Sequence, residues 1–348
     1  MFPYIISCLL SLLFMNIACK HKVKLMHLLA IVPPIILLTY RGIYVGTDTH
    51  HYVTIFSLLD GSLSEWFSDS RFEPLYTFLM YAVKTNGGSI NMLFFVIAVF
   101  TIVPVYMACI KMARFSSPVL SMFIYYMVYY NYSFNISRQA AAMSLILLAT
   151  VFLLERNFYS FTFITLIAIL FHYMSVVYLG FVGMYIITGR NISRKYKILS
   201  ILLLVFLLIF ATGRMFYYYE SSYLTAESGH FQNSYVIGMA FNFFLLLTAS
   251  KNAVLFNNRK TYLFFSFIAL FLILLSPIAV WFYRLALMVD IISVISIPHM
   301  LQSEVIIKKN AYKTYAYIFY SVFFWYFVWV LNNTGETMPY TSIILGIK

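Results

Sequence analysis

The sequence predicts an all-α, polytopic membrane protein folded as one integral domain, residues 1–348, and three observations carry that prediction. Hydrophobic residues make up 63% of the chain and charged residues only 10%, where a soluble domain carries about 25% charged residues. Apolar runs of 15 to 22 residues recur along the whole length, the span that a hydrocarbon core of about 30 Å requires of a helix. No stretch alternates apolar and polar residues over about ten positions, as the strands of a membrane barrel do.

The first run, residues 2–19, has no basic region before it and no small-residue cleavage site after it, so it is read as a span and not as a signal peptide. The cluster KHKVK, Lys20 to Lys24, then holds its far end in the cytoplasm, because short cytoplasmic loops retain positive charge. A second span covers 25–40. Residues 41–90 follow as an outer loop, in which EPLYTFLMYAVK is too short to span and is expected to dip in and return or to lie at the surface. Further spans are expected at 91–110, 117–131, 138–154, 157–171, 173–188, 198–212, 235–256, 261–281, 285–300 and 314–331, about 12 in all with the re-entrant or surface helix extra. Every second loop is then basic: Lys111 and Arg114, Arg156, GRNISRKYK (189–197), Arg259 and Lys260, and KKNAYK (308–313). Eight of the 11 acids fall on the other side, so the net charge of +12 is a topology signal and gives no reason to expect nucleic acid as a partner. Cys8, Cys19 and Cys109 lie in or beside apolar runs, which suggests neither a disulfide framework nor a metal site.

Chemistry is expected on the outer side. Five of its seven basic residues are arginines, namely Arg41, Arg71, Arg138, Arg214 and Arg284, beside Lys84 and Lys348. The positive-inside rule disfavours them there, and burying one costs about 2.5–3.5 kcal/mol. The planar guanidinium fork matches phosphate, so several arginines at one lip suggest a phosphate-bearing ligand; the plainer reading is that each pairs with an acid such as Asp48 or Glu73. In NYSFNISRQAAAMSLILLA, Asn135 or Ser137 is expected to cap a helix whose first turn holds Arg138 and Gln139. An arginine at a helix amino terminus is electrostatically misplaced unless an anion joins it. Arg284 likewise opens a span, and Asp290 lies within it, read as a structural counter-ion. The 30 tyrosines are read mostly as an interfacial belt, and the outer loop 213–234 as a lid or a tether.

These residues resemble, in order, the EpsG-like branch of Wzy-type polysaccharide polymerases. The likeness rests on R-x4-GTD-x3-Y (Arg41 to Tyr52), EP-x-Y (Glu73 to Tyr76), SFNISRQAAA (Ser133 to Ala142), LFHYMS (Leu170 to Ser175) and PY (Pro339, Tyr340), and it covers nearly the whole chain. The chain departs from the pattern in carrying His50 and His51 after GTD. The resemblance implies a fold like that of membrane glycosyltransferases using polyprenyl-linked sugars. It implies an O-antigen or capsule polymerase of the bacterial inner membrane with its site facing the periplasm. The donor and acceptor would be glycans on undecaprenyl pyrophosphate, with membrane lipid and a chain-length regulator protein as further partners, and without cofactor or metal. Arg41, Arg138, Gln139 and Arg284 would bind the pyrophosphate, while Asp48, Glu73 and His172 are candidates for the base that takes the acceptor proton. A flippase would share the span count but should show two similar halves; an O-antigen ligase would share the donor and differ only in the acceptor. An acyltransferase would want a cytoplasmic His site, and His21, His27 and His299 show no such grouping.

Overall fold

The computed structural model describes residues 1–69, 72–180, 229–249, 258–306 and 311–348, with isolated positions 193, 198 and 202. Nearly all of the span expected at 198–212, half of that at 173–188, the loop up to residue 228, Arg71 and Arg214 therefore lie outside the described residues. Among the described residues the chain is helical, with one isolated antiparallel bridge between Ser342 and Ile347.

Helices α1 (Phe2–His21) and α2 (Lys24–Thr39) pack together as a hairpin, turned on Lys22 at a left-handed φ of 55°. Pro33 and Pro34 lie inside α2. A proline has no N–H for the carbonyl four residues earlier, and the Ser11 hydroxyl of α1 donates to that carbonyl of Ala30 instead, at 2.6 Å. Several other buried hydroxyls are satisfied within their own helix. Thr101, Thr150 and Thr165 each donate to the carbonyl four residues back, which suits a surrounding without water.

Residues 41–90 form three short helices, α3 (Thr49–Leu58), α4 (Leu63–Asp69) and α5 (Pro74–Thr85), where the sequence suggested one. At 10, 7 and 12 residues, none is long enough to cross a bilayer. The excursion begins and ends at one end of the bundle, since the Arg41 guanidinium lies 4.0 Å from the ring of Phe94 in the first turns of α6 (Ile90–Lys111).

Helix α8 (Ser137–Leu154) is the centre, buried along nearly its whole length and packed between α6 and α9 (Phe158–Phe171). Between α6 and α8 the span expected at 117–131 is broken: α7 (Pro118–Ile124) passes into a π-helical turn, Tyr125–Tyr129, and a 3₁₀ turn, Tyr130–Phe134. Its tyrosines 125, 126, 129, 130 and 132 are buried, so this group is core and not interfacial belt. Their hydroxyls explain the placement: Tyr130 donates to the Pro34 carbonyl at 2.8 Å and Tyr129 to the Asp290 carboxylate at 2.7 Å.

The carboxyl-terminal part comprises α10 (Gly229–Leu247), α11 (Arg259–Leu274), α12 (Val280–Asp290), α13 (Ser293–Ile306) and α14 (Ala311–Trp325). The span expected at 285–300 is a pair, 281–290 and 293–303, bent by 40°. Asp290 sits at that break and is held by Tyr129 and by Asn242 Nδ2 at 3.3 Å, with no basic partner among the described residues; its role is hydrogen bonding and not the counter-ion the sequence suggested. Among the described residues four helices are long and apolar enough to cross a membrane, or five with the bent pair, and shorter apolar helices accompany them.

Candidate functional site

Helix ends gather five of the seven candidate residues into two groups at the end of the bundle where α2 finishes and α8 begins. Glu73 occupies the cap position of α5, ahead of Pro74, yet its side chain does not cap. One carboxylate oxygen, Oε2, pairs with Arg138 in the first turn of α8, and the other, Oε1, accepts from Nδ1 of His172 at 2.6 Å. His172 closes α9, so the contact joins three helices whose residues are far apart in sequence. The Arg138 guanidinium also lies 4.5 Å from the Phe72 ring. The anion demanded by an arginine at a helix amino terminus is thus supplied within the chain, by Glu73.

The capping expected of Asn135 or Ser137 is not what the structure contains. Ile136 is the cap residue and no side chain caps α8. Asn135 instead accepts from the Thr47 N–H at 2.7 Å, and Ser137 donates to the Ser133 carbonyl while accepting from Arg41. Both side chains are engaged in bracing the 41–48 loop.

Protonation follows from burial and charge. Burial alone would push the Glu73 carboxyl up, but Arg138 and His172 outweigh it and hold it at about 2, so Glu73 is ionised. For His172 burial prevails over the carboxylate and lowers its pKa from the ordinary 6.5, so the imidazole is neutral. A neutral ring donating through Nδ1 leaves a lone pair on Nε2. That Nε2 is buried and has no hydrogen-bond partner. A buried polar atom without a partner calls for an explanation, and a catalytic role is one. The Tyr76 hydroxyl, three residues after Glu73, the Gln139 carbonyl oxygen, one residue after Arg138, and the Ser175 hydroxyl, three residues after His172, are likewise buried without a partner.

Gln139 donates to the backbone carbonyl of Arg284 at 2.8 Å, tying α8 to α12. Arg284 lies near enough for its charge to lower the pKa of His172. Arg41 is only 6% exposed, and its guanidinium donates to the Ser133 carbonyl and to Ser137 Oγ, both at 3.2 Å, between the rings of Phe94 and Phe134. The Tyr76 hydroxyl interacts electrostatically with both Arg41 and Arg138. Asp48 stands apart at the start of α3, where among the described residues its carboxylate receives the Thr47 hydroxyl, at 3.4 Å. Tyr76 and Ser175 were visible only as members of EP-x-Y and LFHYMS; nothing in those letters distinguished them as unsatisfied.

With Glu73 ionised and His172 neutral, three guanidiniums against one carboxylate leave the region positively charged. It can take a proton at Nε2 and attract an anion beside it. Among the described residues no three His, Cys, Asp or Glu side chains gather as a metal site would require. The chain matches the model of the EpsG family over residues 24–342. No curated protein and no solved structure gives a match.

Proposed function

The chain belongs to the EpsG family, a family of membrane proteins of polysaccharide biosynthesis, and from that premise we propose that it polymerises repeat units carried on undecaprenyl pyrophosphate. The reaction runs on the outer face of the bacterial inner membrane. An acceptor sugar hydroxyl gives its proton to His172 Nε2, the hydroxyl oxygen bonds to the anomeric carbon of the donor glycan, and the bond from that carbon to the pyrophosphate oxygen breaks. The electron pair leaves with the pyrophosphate. Arg138 and Arg284 stabilise the charge that develops there, a contribution of several kcal/mol when donors are preorganised. Glu73 fixes the reactive tautomer of His172 and stabilises the imidazolium after proton transfer, the part an orienting carboxylate plays beside a catalytic histidine.

The observation that carries this reading is the buried, unpartnered Nε2 of a histidine held by an ionised carboxylate, beside arginines and inside a family of polysaccharide biosynthesis. A base placed beside arginines matches the two demands of glycosyl transfer, an acceptor proton to remove and a pyrophosphate charge to stabilise. The test is deletion of the gene, with glycan length on the carrier lipid as the readout. Single repeat units are expected, restored to long chains by the wild-type gene and not by His172→Ala. Long chains in the deletion strain, or a carrier bearing no exported unit, would contradict the proposal.

A further inference from the structure

The mechanism above leaves one conspicuous group unused, the segment YVGTDTHH from Tyr44 to His51. Tyr44 is 76% exposed, and its ring lies nearly parallel to that of His50, 12° apart in plane and 6.5 Å between centres. His50 and His51 are also exposed. Asp48 starts α3 without capping it, so its carboxylate stays available.

The loop that carries Tyr44 is clamped. The N–H groups of Gly42, Gly46 and Thr47 donate to the carbonyls of Thr341, Glu336 and Gly335, at 2.8, 2.9 and 3.2 Å. Asn135 takes a second bond from Thr47 N–H. Gly46 has φ +93°, and a Cβ there would run into the Phe134 carbonyl, so the close fit admits only glycine. The chain therefore clamps this loop while the rings of Tyr44 and His50 stay exposed. Rigid presentation lowers the entropy lost on binding a ligand.

Position supplies the ligand. His51 meets Phe72 edge-on at 5.9 Å, and Phe72 carries the Arg138 guanidinium and precedes Glu73. Through Phe72 the patch is linked to the Arg138–Glu73 pair. Its chemistry is complementary to a sugar: flat rings for the apolar C–H face, and a carboxylate, imidazoles and the Thr47 hydroxyl for hydroxyl groups. The segment from Tyr44 to His51 contains no lysine or arginine, the side chains that best match a pyrophosphate. We propose that Tyr44, Asp48 and His50 form a saccharide-binding subsite that seats the acceptor's terminal sugar so that its hydroxyl reaches His172. This rests on the polymerase reading above and deepens it, dividing the end of the bundle into an arginine-rich donor half and an aromatic, acidic acceptor half.

The test uses the full chain in lipid nanodiscs. The probes are lipid-linked repeat unit isolated from the deletion strain and the oligosaccharide released from it by mild acid. Tyr44→Ala, Asp48→Asn and His50→Ala should each raise KM for the lipid-linked unit by about tenfold, the loss of one good contact, with a much smaller effect on kcat. Tyr44→Phe should behave as wild type, since the ring is what stacks. Saturation transfer from protein to free oligosaccharide should be seen for wild type and vanish in Tyr44→Ala. Unchanged KM in all three variants, or saturation transfer that survives in them, overturns the subsite. Should wild type make no polymer, the polymerase reading fails on its own; oligosaccharide binding lost in Tyr44→Ala then still supports the subsite, and absence of binding to wild type overturns it.

Discussion

Glu73→Gln replaces two oxygens by one oxygen and one NH₂, and the geometry dictates which way the amide turns. One face must meet Arg138, a donor, and the other must meet His172 Nδ1. Turning NH₂ toward a guanidinium opposes donor to donor beside a buried charge, so the oxygen faces Arg138. The NH₂ then donates to Nδ1, which forces the proton onto Nε2 and removes the base. Loss of general-base catalysis costs about 10²–10⁴ in rate. The electrostatic part acts in the same direction: Arg138 and His172 outweigh burial and hold the Glu73 carboxyl well below its usual range, and the neutral amide removes the charge that both partners face. Since Glu73 raises the pKa of His172, its removal should also move the acid limb of the pH–rate profile to lower pH. The assay is polymer formation from lipid-linked repeat unit by purified variant, with kcat/KM followed against pH and folded protein quantified by size-exclusion chromatography. A folded Glu73→Gln protein with wild-type rate and an unmoved acid limb would refute the dyad.

For the wild-type protein, kcat/KM should be flat at neutral pH and fall only below the ordinary histidine range, because the lowered pKa of His172 keeps its base form present above that point; an acid limb above 6.5 would show that another group titrates. Arg138→Lys keeps the charge and loses the fork that serves Glu73 and phosphate together, so kcat should drop by at least about tenfold at normal abundance; a mild effect would mean that Arg138 is a structural counter-ion alone. Because the proposed electrophilic groups are arginines, polymerisation should persist in EDTA, and loss of activity restored by magnesium or manganese would contradict the arginine account.

That the chain is helical, with apolar helices able to cross a membrane, was legible because the cue is compositional: span-length apolar runs. The breaks were not legible. Where a helix is apolar on all sides no periodic stripe marks its axis, so the π turn at Tyr125–Tyr129 and the bend after Asp290 carried no sign in the letters. Polar residues in an apolar chain stand out, which is why Glu73, Arg138 and His172 could be singled out. Their pairing depends on contacts across 65 and 99 positions, which spacing does not encode. The caps failed for a related reason: Asn135 and Ser137 have local capping chemistry, but Thr47 and Arg41, brought in by the fold, compete for the same atoms.

The central claim is most directly tested by giving the purified chain, alone in nanodiscs, the lipid-linked repeat unit and measuring glycan length and released undecaprenyl pyrophosphate together. One pyrophosphate-bearing lipid should be freed for each repeat unit added, and both products should disappear in His172→Ala. Translocation of intact lipid-linked units without bond formation, or chain growth undiminished in His172→Ala, would contradict the account.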